Sequence, residues 1–300
     1  MLYMSHSVSS GPVRAGHAEP ARARRSLLDA GSVSWRYTGD WRLGLVLARA
    51  LLLQVCHPTI GAGVAEHSIY REDPWRRLRE SLDPVLETVY AADGAEVGAR
   101  IREAHRAIRG KDANGRRYSA WEPEAYWFVL ASGMESIFAM TERYFPRAMT
   151  RGERERLLAE TREIGIRMGL RERDMQGSLG EFEEWYETLL RERLVDHQTA
   201  HGVLDEIACS PPPPWLPLPG PLRHSFSLPV GHVMTLATIG TLPALVRERL
   251  GLSWGIRDEL ELRALSAAVR SAFAAMPAQW RYMPIARAGF EREAREARVA

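Results

Sequence analysis

Apolar residues in this chain recur at intervals of three and four, and no stretch alternates convincingly with period two. Such spacing marks helices with one buried stripe, so the expectation is an all-α fold: a single large multi-helix bundle enclosing a hydrophobic pocket. The segment Val97 to Gly110 is the most telling case. Val97, Ile101, Ala104, His105 and Ile108 share one helical face, while Arg100, Arg102, Glu103 and Arg106 fall on the other. An imidazole in an apolar stripe needs a partner. Either a neighbouring side chain or carbonyl takes it by a hydrogen bond, or it ligates a metal or a haem iron, and periodicity alone favours the hydrogen bond.

Other boundaries follow from capping chemistry. Trp41 to Cys56 reads as a helix stopped at His57-Pro58, because proline disfavours helical geometry in the residue before it. A glycine-spaced bend is expected at Gly61-Ala-Gly63. Asp73 then serves as N-cap and Pro74 as first residue of a helix that turns Trp75, Leu78, Leu82, Val85, Leu86 and Val89 inward and kinks at Pro84. Asp112 to Gly115 reads as a turn. Helices are expected from Pro123 to about Tyr144, from the Thr150…Glu153 capping signature to near Gly169, and from Glu172 to Leu194.

With 300 residues and formal charges that nearly cancel at +2, the chain can build its own core. Its charges are interspersed, which argues against a nucleic-acid partner. The basic side chains are almost all arginine, with Lys111 alone. Cys56 and Cys209 are too few for a disulfide scaffold, and the start of the chain lacks a basic and then apolar secretory signal, so the expected compartment is cytoplasmic. The expected organisation is a flexible arm over 1–28, one helical domain over 29–290 and a tail over 291–300. A proline-rich connector, 210–221, lies inside the domain. The stretch 224–246 carries no formal charge, yet Pro229, Gly231, Gly240 and Pro243 interrupt it; it is expected to form a bent wall of the pocket and not to span a membrane, with surface contact to one left open.

Dinucleotide and phosphate-loop fingerprints, CxxC pairs and His-Glu-x-x-His helices are absent. Histidines carry what remains. His57 and His67 bracket the glycine bend, with Glu66 beside the second, and these groups suit either loop hydrogen bonds or work as acid, base or ligand. His197 and His201 stand one helical turn apart, a metal-gripping spacing without a third ligand nearby.

Several ordered motifs resemble the MpaB/rubber oxygenase (latex-clearing protein-like) family over roughly Trp41 to Arg287. They include Leu51-Leu-Leu-Gln-Val-Cys-His57-Pro58, Gly63-Val-Ala-Glu-His67-Ser68, Pro74-Trp-Arg-Arg77-Leu78, Gly169-Leu-Arg-Glu-Arg-Asp-Met and Trp280-Arg-Tyr-Met-Pro-Ile-Ala-Arg287. The resemblance implies an all-helical oxygenase with haem b. Ile101-Arg-Glu-Ala-His105-Arg-Ala-Ile108-Arg109 matches the pattern around the family's haem-ligating histidine, which makes His105 the implied axial ligand. Arg77, Glu80 and Ser81 match an Arg, Lys, Thr set near the cofactor, with Glu80 reversing one charge. Glu66 stands as a candidate for the family's catalytic glutamate. Leu130 replaces a histidine carried by many shorter members.

The leading expectation is therefore a haem b-dependent oxygenase that uses O₂ on a small hydrophobic substrate, alkene or terpenoid-like, with C=C cleavage as one form of the reaction. In it, His105 holds iron, and Arg77, Ser81 and Glu66 line the chemistry. Two rivals are a non-haem iron oxygenase using His57, His67 and His105, and a non-catalytic binder of hydrophobic ligands on the same fold.

Overall fold

The computed structural model describes residues 26–112, 114–209 and 219–299. Among these, thirteen α-helices and one two-stranded hairpin make an all-α fold. In chain order, α1 (Val33–Tyr37) and a 3₁₀ turn lead into α2 (Gly44–Val55), α3 (Pro58–His67), α4 (Pro74–Tyr90) and α5 (Gly94–Ala104). The hairpin β1 (Arg109–Lys111) and β2 (Arg117–Ser119) follows, and then α6 (Pro123–Tyr144), α7 (Arg151–Arg167), α8 (Leu179–Glu192) and α9 (Gln198–Cys209). The last quarter holds α10 (Gly220–Thr241), α11 (Ala244–Arg249), α12 (Ile256–Ala275) and α13 (Pro284–Val299).

The centre is α6, packed against α2. Trp127, Phe128, Ala131 and Met140 on α6 and Val46, Leu52 and Leu53 on α2 have essentially no exposed surface. Each large apolar side chain so buried contributes on the order of 1.5–3 kcal/mol. Arg49 sits in the same seam at 1% exposure. Its Nε donates to the Thr241 carbonyl at 2.6 Å, Nη1 donates to Ser136 Oγ at 2.7 Å, and Nη2 pairs with Glu135. One guanidinium thus ties α2, α6 and the end of α10.

Capping signals set many of the ends. Asp73 accepts from Arg76 N above α4, whose first residue is Pro74, and Thr150 and Glu153 form the reciprocal box of α7. Sequence reading placed three ends differently. The helix carrying His105 stops at Ala104, because the chain must turn there into a hairpin, where Arg109 pairs with Ser119 and Lys111 with Arg117. No bend occurs at Gly61-Ala-Gly63; α3 runs through it, and the turn of 103° falls one step earlier, at His57-Pro58. The helix expected from Glu172 begins only at Leu179, where Ser178 and Glu181 form their own capping box. The last helix, α13, continues to Val299.

Within α4 the helix continues past Pro84, and Thr88 Oγ1 donates to the Pro84 carbonyl. The uncharged stretch is also less broken than expected: α10 is one helix through Pro229 and Gly231, ending at Leu242-Pro243. It packs on α2, α9 and α12. No single described helix is long and apolar enough to cross a membrane; only α2 and α3, taken together across their sharp bend, pass on length and composition. The expected arm over 1–28 lies outside the described residues except for its last three, and the proline-rich connector lies outside them from 210 to 218.

Candidate functional site

The end of α5, the hairpin, the length of α3 and the first turns of α4 gather most of the candidate residues. His105 is the C-cap of α5 rather than a residue within it, and it is half-buried. Its Nδ1 lies 2.7 Å from the Ile101 carbonyl. A carbonyl only accepts, so Nδ1 carries a proton, which in the neutral ring leaves the lone pair on Nε2. Among the described residues Nε2 has no hydrogen-bond partner. The ring stands edge-on to Tyr126, with centroids 5.8 Å apart. Tyr126 Oη is itself buried without a partner, and burial pushes that phenol up to about 12.

Behind His105 the hairpin lies on α3. Tyr118, 6% exposed, donates its hydroxyl to Glu66 Oε2. Between them passes Gly110: a Cβ there would stand 2.6 Å from Glu66 Oε2 and 2.8 Å from Tyr118 Oη. A side chain has no room. Gly63, one turn before Glu66 on α3, faces Ile108 and Tyr118. His67 Nε2 approaches the other Glu66 oxygen, Oε1, at 4.0 Å.

Ser68 caps the C-terminal end of α3 and receives Arg77 Nε at 2.9 Å, while Arg77 Nη1 donates to Ser81 Oγ at 2.6 Å. The half-buried guanidinium therefore spans two hydroxyls. Glu80 takes no part: its carboxylate accepts from Arg76 Nε at 2.8 Å on the exposed side of α4. The charge reversal at position 80 is thus spent on a surface pair. Leu78, Leu82 and Val85 on α4, and Ile60 and Val64 on α3, are only half-buried. Leu130 is core, at 7% exposure.

His57 belongs elsewhere. It caps the start of α3, so ten residues at about 1.5 Å rise set it roughly 15 Å from His67. A ligand set that uses both would need them to converge. His57 is 2% exposed, neither ring nitrogen has a hydrogen-bond partner, and Nε2 stands 3.6 Å from Glu124 Oε1. Burial lowers its pKa below the ordinary histidine value, against the opposing pull of Glu124. Its neighbour Cys56 is a buried thiol pushed up to about 12, mainly by burial.

His197 and His201 also part company. His197 Nδ1 accepts from Thr199 N at the start of α9 and its ring lies against Gly61, whereas His201 pairs with Asp196 at 2.6 Å in solvent. Among the described residues no three His, Cys, Asp or Glu side chains converge on a metal position.

Three residues of this region, Ser68, Tyr118 and Tyr126, are not singled out by sequence reasoning. Ser68 carries a signal in hindsight, since it follows His67 just after an apolar helix and precedes the arginine that reaches it. The other two are apolar-run or hairpin tyrosines whose neighbours depend on the tertiary fold.

Residues 35–271 match a sequence-family model described as ER-bound oxygenase mpaB/B'/Rubber oxygenase, catalytic domain. Comparison with curated proteins and with solved structures gives no match.

Proposed function

The chain belongs to the ER-bound oxygenase mpaB/B'/rubber oxygenase catalytic-domain family, and from that premise we propose a haem b-dependent oxygenase acting with O₂ on a small hydrophobic substrate. The observation that carries the reading is His105: an imidazole fixed through Nδ1 by the Ile101 carbonyl, with Nε2 unpartnered and an aromatic edge at its side. A backbone acceptor on the far nitrogen sets the tautomer, orients the ring and raises the basicity of the ligating nitrogen. When bound, haem supplies the one-electron and O₂ chemistry that protein side chains lack.

The remaining roles fall to groups in reach of this region. Arg77 is held by Ser68 and Ser81, so its cation is pre-organised to stabilise negative charge developing on an oxygen of the reacting partners. The half-buried apolar faces of α3 and α4, with Val64, Leu78, Leu82 and Val85, offer an alkene or similar molecule the surface it needs. Tyr126 stands edge-on to one side of the His105 ring. The non-haem alternative draws less support, because His57 and His67 stand at opposite ends of α3.

The test is spectroscopic. Protein produced with ample haem precursor should purify with a Soret band and close to one haem per chain. His105→Ala should lose it while keeping helical circular dichroism, and added imidazole should restore part of it. A wild-type chain without porphyrin absorbance, or a His105→Ala variant with unchanged haem content, overturns the proposal.

A further inference from the structure

We infer that Glu66 and Tyr118 form the tie that aims His105, so that Glu66 acts as a positioning residue rather than as the acid–base group of the reaction; the inference rests on the proposed role of His105. The reason begins with where His105 stands. A histidine inside a helix is aimed by the rotation of that helix, but His105 is its exit, and the backbone after it leaves at once for the hairpin. Three residues on, Ile108 N closes a turn onto the His105 carbonyl, and Ala120 N reaches the Ile108 carbonyl from the far strand. The position of the hairpin therefore fixes the backbone on which the ring is mounted.

The hairpin in turn needs an anchor. Two three-residue strands cannot hold themselves. Among the described residues, the hydrogen bond from Tyr118 Oη to Glu66 Oε2 is the one polar link between strands β1 or β2 and α3. Everything around it is shaped for that link. Gly110 leaves a gap that any side chain would fill from both ends, and Gly63 lets the hairpin settle onto the helix. The Tyr118 ring is buried while its hydroxyl reaches a carboxylate on the rim. Burial first, and the Glu66 bond after it, pushes the phenol up to about 12, so it stays a donor throughout the physiological range. One oxygen of Glu66 is thereby committed, and the other faces His67.

The experiment separates geometry from charge with three variants of the full chain. Tyr118→Phe keeps the ring and removes the donor; Glu66→Ala removes the acceptor; Glu66→Gln keeps an acceptor for the phenol and removes the base. Haem loss is followed by transfer to excess apomyoglobin, and hairpin protection by hydrogen exchange of residues 108–120 in the haem-free protein. Tyr118→Phe and Glu66→Ala should shed haem roughly five- to tenfold faster, as loss of one hydrogen bond predicts, and should exchange faster in the hairpin, while Glu66→Gln stays near wild type in both. Unchanged hairpin exchange and haem retention in Tyr118→Phe and Glu66→Ala would overturn the tie. Full haem content with abolished turnover in Glu66→Gln would overturn the positioning role and make Glu66 a base. A wild-type chain that binds no haem would sink the proposed function instead, and hydrogen exchange would still decide the tie.

Discussion

His57 keeps a neutral, unpartnered imidazole in the wall between α2 and α6, against the Phe128 ring. Its folded-state pKa lies below the ordinary 6.5, so the unfolded chain takes up the proton first as pH falls. Stability is then complete above that value and drains as pH drops through it toward the folded-state value. His197, also lowered by burial, adds to the loss with the same sign. Thermal denaturation between pH 7.5 and 5 should show a falling midpoint, and His57→Leu should flatten part of that slope; an equal slope in the variant would assign it elsewhere. Arg77→Ala removes two hydrogen bonds from a half-buried group and should cost about 1–3 kcal/mol of stability by urea titration, with haem retained and oxygen chemistry slowed. At this scale, Arg77 and Ser81 came from the sequence only through their match to the family's Arg, Lys, Thr set, and their bond follows from lying four apart on one helix. Tyr118 was not legible, since nothing in spacing brings residue 118 to residue 66.

Elements end where local chemistry and tertiary demand agree, and the chain shows both cases. The box at Thr150 and Glu153 was readable because its two residues satisfy each other's backbone groups within one turn. The box at Ser178 and Glu181 uses the same chemistry, yet the apolar and charged run from Glu172 masked it. Ser178→Ala should lower stability by about 1 kcal/mol in chemical denaturation, the usual cost of a lost N-cap. The end of α5 was illegible for a different reason. Ile108 keeps the helical rhythm of Val97 and Ile101, but its period serves the hairpin's packing on Gly63 and not a helix. The α2–α3 elbow depends on Gly61, where a Cβ would meet the Val55 carbonyl at 2.5 Å and the His197 ring at 2.8 Å. Gly61→Ala should therefore cost about 1–3 kcal/mol and lower the thermal midpoint, since backbone cannot yield as a side-chain tip can.

Across the whole molecule the all-α class was plain from periodicity, because every long apolar run carried the same three-and-four rhythm. The tie through Arg49 was hidden, since its partners lie 87 and 192 residues away. Arg49→Ala should destabilise the bundle by about 1–3 kcal/mol in denaturant, because it takes the donors from the buried Thr241 carbonyl and Ser136 hydroxyl and the partner from Glu135, whose side chain is a quarter exposed. A loss below 1 kcal/mol would mean the seam rehydrates. The same clasp bears on how the gene can be divided. Arg49 precedes the proline-rich connector and Thr241 follows it, and α10 lies along α2 and α9 from the far side of that connector. Covalent continuity at 210–218 is then dispensable to cohesion: a polypeptide nicked there, or produced as two separately encoded fragments, would hold together like a hook in its eye and migrate as one particle until denatured.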